Sequence, residues 1–551
     1  HPARLYAFWP DGGIHMYNKS TLATLSEGVY DILSAPGSTS YQVKSKNQVK
    51  YTFTKFVNAN IVGGAIWMLT EIKDRNNNKI TINYTIANNY PRIDYVIDDA
   101  GRKLQFNYQN GNNNIFYVAD VAGGRQVYFT YDANNDLKTY KNARNYTATY
   151  GYYSDATRKH LLQNITLPEG NVITNVYNTN RKLTSTQKGT QAPTQINIDY
   201  SPTALFASPS NFISSTVTDP VGTVTNHNFN NSGQANTLSI GSNNMNFTFD
   251  PVHKTLPQTS TYNGYQVTYD YDAMGNIKKV TMPGGIVHTY TWTAENDIDT
   301  YINPKGGVTD FIYDANKNLD KIKDPMNFTT EYSINSQGLL TSIQSPTGIT
   351  QTMAYYLPSG DLKSVTDALG NKTEMTYDAV GRMKTITNPN NQTTELAYNE
   401  NDAIKTTTNV VSTGNIITQY VYDKNDLLRE VQNARGYSTF MNYTNRDLLE
   451  NMTFGNDQTT YTYRNDNLLD KITKPNNAVF QMQYDALGRL ENDGHASFTY
   501  DNQDNLLTSK VIGQSDQLTL TYDAVNRIKT ATYGGKTITY DARVSELRCS
   551  G

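Results

Sequence analysis

The fifteen residues YDAVGRMKTITNPNN, from Tyr377 to Asn391, are one copy of a phrase that this chain repeats many times. Other close copies begin at Tyr271 (YDAMGNIKKVTMPGG), Tyr313 (YDANKNLDKIKDPMN), Tyr484 (YDALGRLENDGHASF) and Tyr522 (YDAVNRIKTATYGG). Self-similarity at a fixed short period is typical of solenoids and arrays. We therefore interpret the 551 residues as one repetitive architecture rather than as a series of unrelated domains.

The residue that opens each copy recurs about every 21 residues, and it is usually aromatic. The regular series is Phe229, Phe249, Tyr271, Trp292, Tyr313, Ile334, Tyr356, Tyr377, Tyr398, Tyr422, Tyr443, Tyr463, Tyr484, Tyr500, Tyr522 and Tyr540. A looser series lies upstream and consists of Tyr84, Tyr108, Tyr131, Tyr152, Tyr177 and Tyr200.

Each copy predicts two strands and two turns. The alternation that ends at Tyr271 is typical of a half-buried strand. In the turn that follows, Asp272 can accept a hydrogen bond from the backbone two residues on, and Gly275 tolerates positive φ. This pattern predicts a short hairpin with a type I turn closed by a bulge. In other copies we expect Asn318 and Asn526 to take the glycine position, because Asn is the second choice for left-handed backbone.

Composition supports an all-β fold with a lean core. Hydrophobic residues make up 37% and charged residues 18%, whereas a typical globular chain has about 45–50% and about 25%. Tyr and Thr favour strands, and Asn and Gly favour turns. A net charge of −3 argues against nucleic acid as a partner. No apolar run approaches the length of about 18 residues that a transmembrane helix needs.

We interpret the repeated Tyr first as a packing residue whose ring is buried while its hydroxyl finds a partner. The alternative is a ladder of aromatic rings that stack on sugars. The repeated Asp is a turn residue before it is a catalyst or a calcium ligand, because an EF-hand loop needs acids at alternating positions and a terminal Glu.

The sequence offers no convincing catalytic constellation, and we predict no catalytic, cofactor-binding or metal-ligating residue, no cofactor and no enzyme activity. The single Cys549 excludes an internal disulfide framework. Gly535-Lys536-Thr537 lacks the preceding glycine of a phosphate loop, because position 530 is Thr. The scattered histidines form no metal-binding motif; they are His1, His15, His160, His227, His253, His288 and His495.

The phrase resembles the YD repeat, also called the RHS repeat, in which Tyr-Asp-x-x-Gly-x-Leu precedes x-x-Ile-x-x-Pro. LTEIKDRNNNKITINY (Leu69 to Tyr84) is similar to a hairpin near the start of RHS regions, and FWPDGGIHMYN (Phe8 to Asn18) is similar to the segment before it. The resemblance covers nearly the whole chain. It implies hairpins wound into a continuous β-spiral that forms a hollow shell or part of one.

In the bacterial toxins of this family, the resemblance implies a shell that holds a C-terminal toxic domain, released by self-cleavage at a core after the last repeats. That core is not visible before Gly551, so no self-cleavage residue is carried over. The last ten residues, ARVSELRCSG, break the register, and we interpret this tail (542–551) as truncation or a non-native extension.

We predict a lead-in segment at 1–50, a loose repeat region at 51–228, a regular repeat region at 229–541 and the aberrant tail at 542–551. The first functional hypothesis is a secreted or surface-exposed scaffold that encloses a C-terminal effector as its partner. The second is an extracellular array that adheres to cell-surface glycans or proteins. The third is a glycan-active enzyme, which would need two carboxylates about 5 to 9.5 Å apart.

Overall fold

The computed structural model describes residues 4–9, 13–26, 29–56, 66–87, 90–109, 113–190, 192–200, 212–230 and 233–540. Within these ranges the regular elements are β-strands, apart from one short 3-10 turn at Pro283–Gly285. The predicted all-β fold is therefore confirmed. The predicted tail at 542–551, with Cys549, and His1 lie outside the described residues.

The chain begins with a small two-stranded sheet and continues into a very long one. Strands β1 (Arg4–Phe8) and β2 (Ile14–Asn18) pair only with each other. The next 41 strands form one antiparallel sheet, so part of the predicted lead-in segment belongs to the wall. In order, β3 to β22 are Ile32–Gly37, Ser40–Lys44, Lys50–Phe56, Ile66–Lys73, Lys79–Ala87, Tyr90–Asp98, Lys103–Tyr108, Ile115–Asp120, Arg125–Tyr131, Leu137–Lys141, Thr147–Tyr152, Leu162–Thr166, Val172–Tyr177, Leu183–Lys188, Thr194–Tyr200, Phe212–Thr218, Val224–Phe229, Ala235–Ile240, Asn243–Phe249 and Pro257–Tyr262.

The regular repeats build the rest of this sheet and a further seven-stranded one, β44–β50. In order, β23 to β43 are Tyr265–Tyr271, Ile277–Met282, Ile286–Trp292, Ile298–Ile302, Val308–Tyr313, Leu319–Lys323, Thr329–Ile334, Leu340–Gln344, Thr350–Tyr356, Asp361–Thr366, Lys372–Tyr377, Met383–Thr387, Thr393–Tyr398, Ile404–Val410, Ile416–Tyr422, Leu428–Gln432, Ser438–Tyr443, Leu449–Phe454, Asp457–Tyr463, Leu469–Thr473 and Val479–Gln481. Strands β44 to β50 are Gln483–Tyr484, Leu490–Asn492, Ala496–Tyr500, Leu506–Val511, Gln517–Tyr522, Ile528–Tyr533 and Lys536–Thr539.

In the 41-stranded sheet and in the seven-stranded sheet, each described ladder joins a strand to its neighbour in sequence. The two sheets meet within one extended segment, where only Met482 separates β43 from β44. Strand β43 pairs with β42, and β44 pairs with β45. The wall is therefore one path of hairpins from β3 to β50.

The hairpins carry the predicted bulge. The register shifts immediately before Tyr271 and Tyr377, and Gly275 and Asn526 have φ of 68° and 60°. The prediction for Asn318 is wrong: Lys317 has positive φ (69°) instead. The left-handed position is the fourth residue after the Tyr, and in that copy it holds Lys.

The phrase alignment is also wrong by one residue at Tyr356. Tyr355 pairs with Leu362 at the bulge, as Tyr377 pairs with Met383. The turn that follows is longer by one residue and is closed by Gly360. The inserted residue therefore moves the structural equivalent of the repeated Tyr to position 355.

The wall winds back onto itself. The turn after β6 meets the turn after β25 through Arg75 and Asp297, and the turn after β22 meets the turn after β46 through Asn263 and Asn502. Such contacts recur 19 to 25 strands apart. We call β3–β24 with the turn that follows them the first coil, β25–β50 the second coil, and the line where their turns meet the inter-coil seam.

Little of this wall forms a conventional core. The buried apolar cluster of the described residues is small, with Tyr17, Leu33 and Val43 at its centre. The chain exposes 31,989 Å², whereas a compact protein of 61.8 kDa would expose about 20,000 Å². A circuit of about 24 strands spaced about 4.8 Å apart is about 115 Å around and about 35 Å wide. The fold is a hollow shell or part of one.

Candidate functional site

The repeated Tyr joins each repeat to the one before it. Its hydroxyl donates a hydrogen bond to the carbonyl of the aliphatic residue in the previous copy. These bonds are 2.7 to 2.9 Å long in the pairs Tyr313–Ile298, Tyr355–Leu340, Tyr377–Leu362, Tyr398–Met383, Tyr422–Ile404, Tyr443–Leu428, Tyr463–Leu449, Tyr484–Leu469, Tyr500–Leu490 and Tyr522–Leu506. We call this series the tyrosine ladder.

Trp292 keeps the pattern with a different group, since its indole N–H donates to the carbonyl of Ile277 at 2.8 Å. Tyr271 belongs to the ladder as well, since its hydroxyl donates to the carbonyl of Pro257 at 2.7 Å. Burial raises the pKa of the ladder tyrosines, and that of Tyr271 to about 12. These rings are half-buried and their hydroxyls have partners. The geometry favours packing over a ladder of free sugar-stacking rings.

The repeated Asp holds its own turn, as predicted. A carboxylate oxygen of Asp272 accepts hydrogen bonds from the backbone N–H groups of Met274 and Asn276, both at 2.9 Å. The side chain of Asn276 donates to the other oxygen. Both carboxylate oxygens of Asp272 therefore accept hydrogen bonds within the hairpin. Asp272 does not offer the neighbouring Asp270 a free carboxylate as a partner for acid–base chemistry.

Arg in the fifth position after the Tyr links consecutive turns, a role that the sequence analysis missed. Arg489 donates to Asp485 in its own turn (2.6 Å), and to Asp504 (2.7 Å) in the next. Its guanidinium lies 4.9 Å from the centre of the Tyr500 ring. Burial acts to raise the pKa of Asp485, but the hydrogen bonds and charge of Arg489 outweigh it, and that pKa is lowered.

The inter-coil seam brings together two different kinds of turn. On the second coil they are the turns that follow the repeated Tyr. On the first coil they are the turns at the opposite strand ends, which we call return turns. Arg75 in a return turn donates two hydrogen bonds to Asp297, at 2.8 and 2.9 Å, although 222 residues separate them.

Four carboxylates of the second coil stand at the left-handed turn position that Gly275 occupies in its own turn. Their φ angles lie between 62° and 68°. Each bonds across the seam to a donor of the first coil, and these pairs are Asp402–Arg125, Asp426–Arg144, Asp447–Lys188 and Asp504–Tyr262. We call these four side chains the seam carboxylates. The repeat pattern could have shown that Asp replaces Gly there, but not what it faces.

The remaining sequence candidates have structural partners. Gly535-Lys536-Thr537 lies at the β49–β50 hairpin, where Tyr533 pairs with Lys536. His15, His160 and His253 each contact an aspartate, and His288 contacts Tyr301. Across the described ranges, no three His, Cys, Asp or Glu side chains come together as metal ligands would. The same ranges contain no helix long and apolar enough to cross a membrane.

Comparison with known proteins agrees with this geometry. A family model described as the RHS repeat matches residues 356–393. The crystal structure of TcdB2-TccC3-Cdc42 has a TM-score of 0.54 at 11% identity, over 89% of this chain and 31% of that one. The crystal structure of TcdB2-TccC3-TEV has a TM-score of 0.50 at 12% identity, over 88% and 31%. No curated protein sequence matches the chain.

These likenesses are in fold, and this chain covers about a third of the length of the matched chains. The hairpins, the tyrosine ladder and the wound wall define a β-hairpin repeat protein whose sheet forms a hollow shell or part of one. Residues 356–393 match the RHS repeat, also called the YD repeat, and the tyrosine ladder carries the same geometry along the wall.

Proposed function

We propose that this chain is a non-catalytic part of a toxin-associated shell, secreted or exposed at the cell surface, that encloses a C-terminal effector of its parent protein. The observation that carries the proposal is the wound wall. Its strands return onto themselves after 19 to 25 steps. A circuit of that size is about 35 Å wide between backbones, and side chains that reach about 5 Å inward leave an interior about 25 Å wide.

The similar structures support this proposal. Both are named for TcdB2-TccC3, and the names add Cdc42 in one case and TEV in the other. A wall of this fold thus occurs in TcdB2-TccC3. Because this chain spans about a third of their length, we propose that it supplies part of a shell and that other segments complete it.

The chemistry of the wall suits a container. Side chains alternate across a strand, so the residue before each ladder Tyr points to the opposite face. Hydroxyl groups there bond to each other across the hairpin, at 2.6 to 2.7 Å, in the pairs Thr130–Thr139, Thr248–Thr259, Thr291–Thr300, Thr376–Thr385, Thr499–Thr508 and Thr521–Thr530. Paired hydroxyls offer little to a guest chain, so this face would bind a partly folded effector weakly.

Protease protection tests enclosure. The parent protein with its natural downstream sequence is treated with protease, and digestion of the effector and of the wall is followed separately. We expect the effector to outlast a copy of the same effector expressed alone by at least tenfold. Equal digestion rates while the wall stays intact would overturn the proposal.

An aromatic cluster favours a second candidate, adhesion to glycans. Phe116, Tyr117 and Tyr128 place their ring centroids 5.6 to 5.9 Å apart, and Phe116 is 42% exposed. The ammonium of Lys141 lies 4.4 Å from the Tyr128 ring centre and covers one of its faces. A glycan-array signal that Phe116→Ala abolishes would favour adhesion, and an array without signal would remove this candidate.

A further inference from the structure

The two directions of the wall differ in how they are joined. Along a coil, backbone ladders join each strand to the next. Across the seam, the contacts are made by side chains, as in Arg144, which donates to Asp426 and to the carbonyl of Asp423 at 2.8 Å. We propose that the inter-coil seam is an electrostatic latch, held by the four seam carboxylates together with Asp297, along which the coils separate when charge is screened.

The first carboxylate stands between cations from both coils. Asp402 contacts Arg125 of the first coil and, at 2.6 Å, Arg382 of its own coil. Arg125 is further held by Asp120 at 2.6 Å. The Asp402 side chain is 53% exposed, so dissolved ions can compete for it.

The second and third carboxylates repeat this arrangement with other donors. Asp426 contacts Arg144 at 2.5 Å and accepts from the amide of Asn401 at 2.7 Å. Asp447 contacts Lys188 and the amide of Asn171, both at 2.6 Å. The donors from the first coil are 259 to 282 residues away in sequence, whereas Asn401 belongs to the second coil.

The fourth carboxylate pairs with a phenol. Asp504 accepts from the Tyr262 hydroxyl at 2.5 Å and from Arg489 at 2.7 Å. Burial and the hydrogen bond to Asp504 raise the pKa of Tyr262 to about 12, so this phenol remains a donor at neutral pH. Asn263 and Gln503 add two side-chain-to-carbonyl bonds beside it.

Solvent has access to the latch. A cavity of about 420 Å³ is bordered by Asp402 and Asp426, another of about 400 Å³ by Asp447, and one of about 190 Å³ by Asp504. Raising ionic strength from 0.1 to 1 M shortens the screening length from about 10 to about 3 Å. Seam pairs would weaken under that change, whereas backbone ladders would not.

A cysteine pair can report the opening. A Cβ built on Gly284 would lie 3.5 Å from Cβ of Ala524, where the last turn of the first coil faces the second coil, and this suits a disulfide. In a Cys549→Ser background, Gly284→Cys with Ala524→Cys places two thiols within bonding distance only while the seam is closed. The measurement is the rate at which the reduced pair forms a disulfide at a fixed concentration of oxidant.

We expect disulfide formation to be about tenfold slower in 1 M than in 0.1 M NaCl. Replacing all four seam carboxylates (Asp402, Asp426, Asp447 and Asp504) by Asn keeps their shape and left-handed preference, and should slow disulfide formation already at 0.1 M. The control is Glu331→Gln, which removes the partner of Lys321 within one coil and should change nothing. Equal rates at both salt concentrations would overturn the latch, even if the fourfold variant fails to fold.

If the shell holds an effector, the oxidised pair should keep it protease-resistant in 1 M NaCl, and reductant should end that resistance. This consequence rests on the proposed function, whereas disulfide formation within the chain itself does not. If the seam opens with salt but the effector is not protected from protease, the latch is supported and the proposed enclosure is rejected.

Discussion

The two joints of this wall, along a coil and across the seam, are built from different interactions. Along a coil, each hairpin adds backbone bonds and one bond of the tyrosine ladder, as Tyr443 does to the carbonyl of Leu428 at 2.7 Å. Across the seam, half-exposed charges such as Asp402 meet partners 277 residues away. Neighbouring strands are therefore joined by contacts between residues close in sequence. The coils are joined to each other by solvent-accessible contacts between residues far apart in sequence.

The largest loss of stability should come from removing one side chain of the tyrosine ladder. Tyr443→Ala removes a half-buried ring and its hydrogen bond, and we expect the free energy of unfolding to fall by about 2–3 kcal/mol. Tyr443→Phe keeps the ring and should cost about 1 kcal/mol. Denaturant titration of both variants measures the difference. Equal losses would show that the hydroxyl alone sustains the ladder.

A glycine pair sharpens the contrast between a covered turn and a turn on the open rim. A Cβ on Gly275 would lie 2.6 Å from the ring of Tyr30, which precedes the first coil, whereas one on Gly306 meets nothing within 4 Å. Both have positive φ, 68° and 82°, so Ala strains each by about 1 kcal/mol. We expect Gly275→Ala to cost about 1–2 kcal/mol more, because the rigid ring must move. Thermal unfolding of the two variants measures this difference.

Breaking the bridge between consecutive turns should have a smaller effect. Arg489→Gln removes contacts to Asp485 and Asp504, and we expect a loss of about 1 kcal/mol in the free energy of unfolding, given that the Asp504 side chain is 42% exposed. The control is Arg527→Gln, because Arg527 contacts Asp523 in its own turn and its removal should cost less. A greater loss for the control would contradict a bridging role.

Alkaline pH should weaken the ladder gradually. Burial, helped by the charges of Tyr269, Asp250 and Tyr30, raises the pKa of Tyr271 from 10 to about 12. A group whose pKa is raised by folding contributes its full stabilisation below the pKa of the unfolded state. That stabilisation is lost as pH rises from the unfolded pKa through the folded pKa. Stability should therefore decline as pH rises from 10 to 12. Tyr271→Phe should decline less over that interval when both are followed by denaturant titration.

The hairpins could be predicted from the sequence because their determinants are local. Asp272 and Gly275 specify a turn within five residues, and the observed bonds and φ agree. One error concerned residue type, since Lys317 rather than Asn or Gly fills the left-handed position, and the other arose where spacing changed, since Tyr355 takes the ladder site. A single inserted residue before Gly360 is enough to shift the alignment.

The seam could not be predicted, because its partners depend on how many strands complete one circuit. That number varies from 19 to 25 along the chain and follows from accumulated twist and curvature rather than from any motif. Arg125 and Asp402 carry no sequence signal that links them. Only the substitution of Asp for Gly in four turns hinted that these positions do more than reverse the chain.

The winding gives repeat number a meaning that a linear array would lack. Arg144 finds Asp426 because 25 strands lie between their turns. Deleting one hairpin between them would leave every local bond possible, yet each later turn would sit one place out of phase around the circumference. In evolution, repeats could be added at the end of the wall without disturbing existing seam contacts. The gain or loss of a repeat within the wall would change the partner of every later turn across the seam.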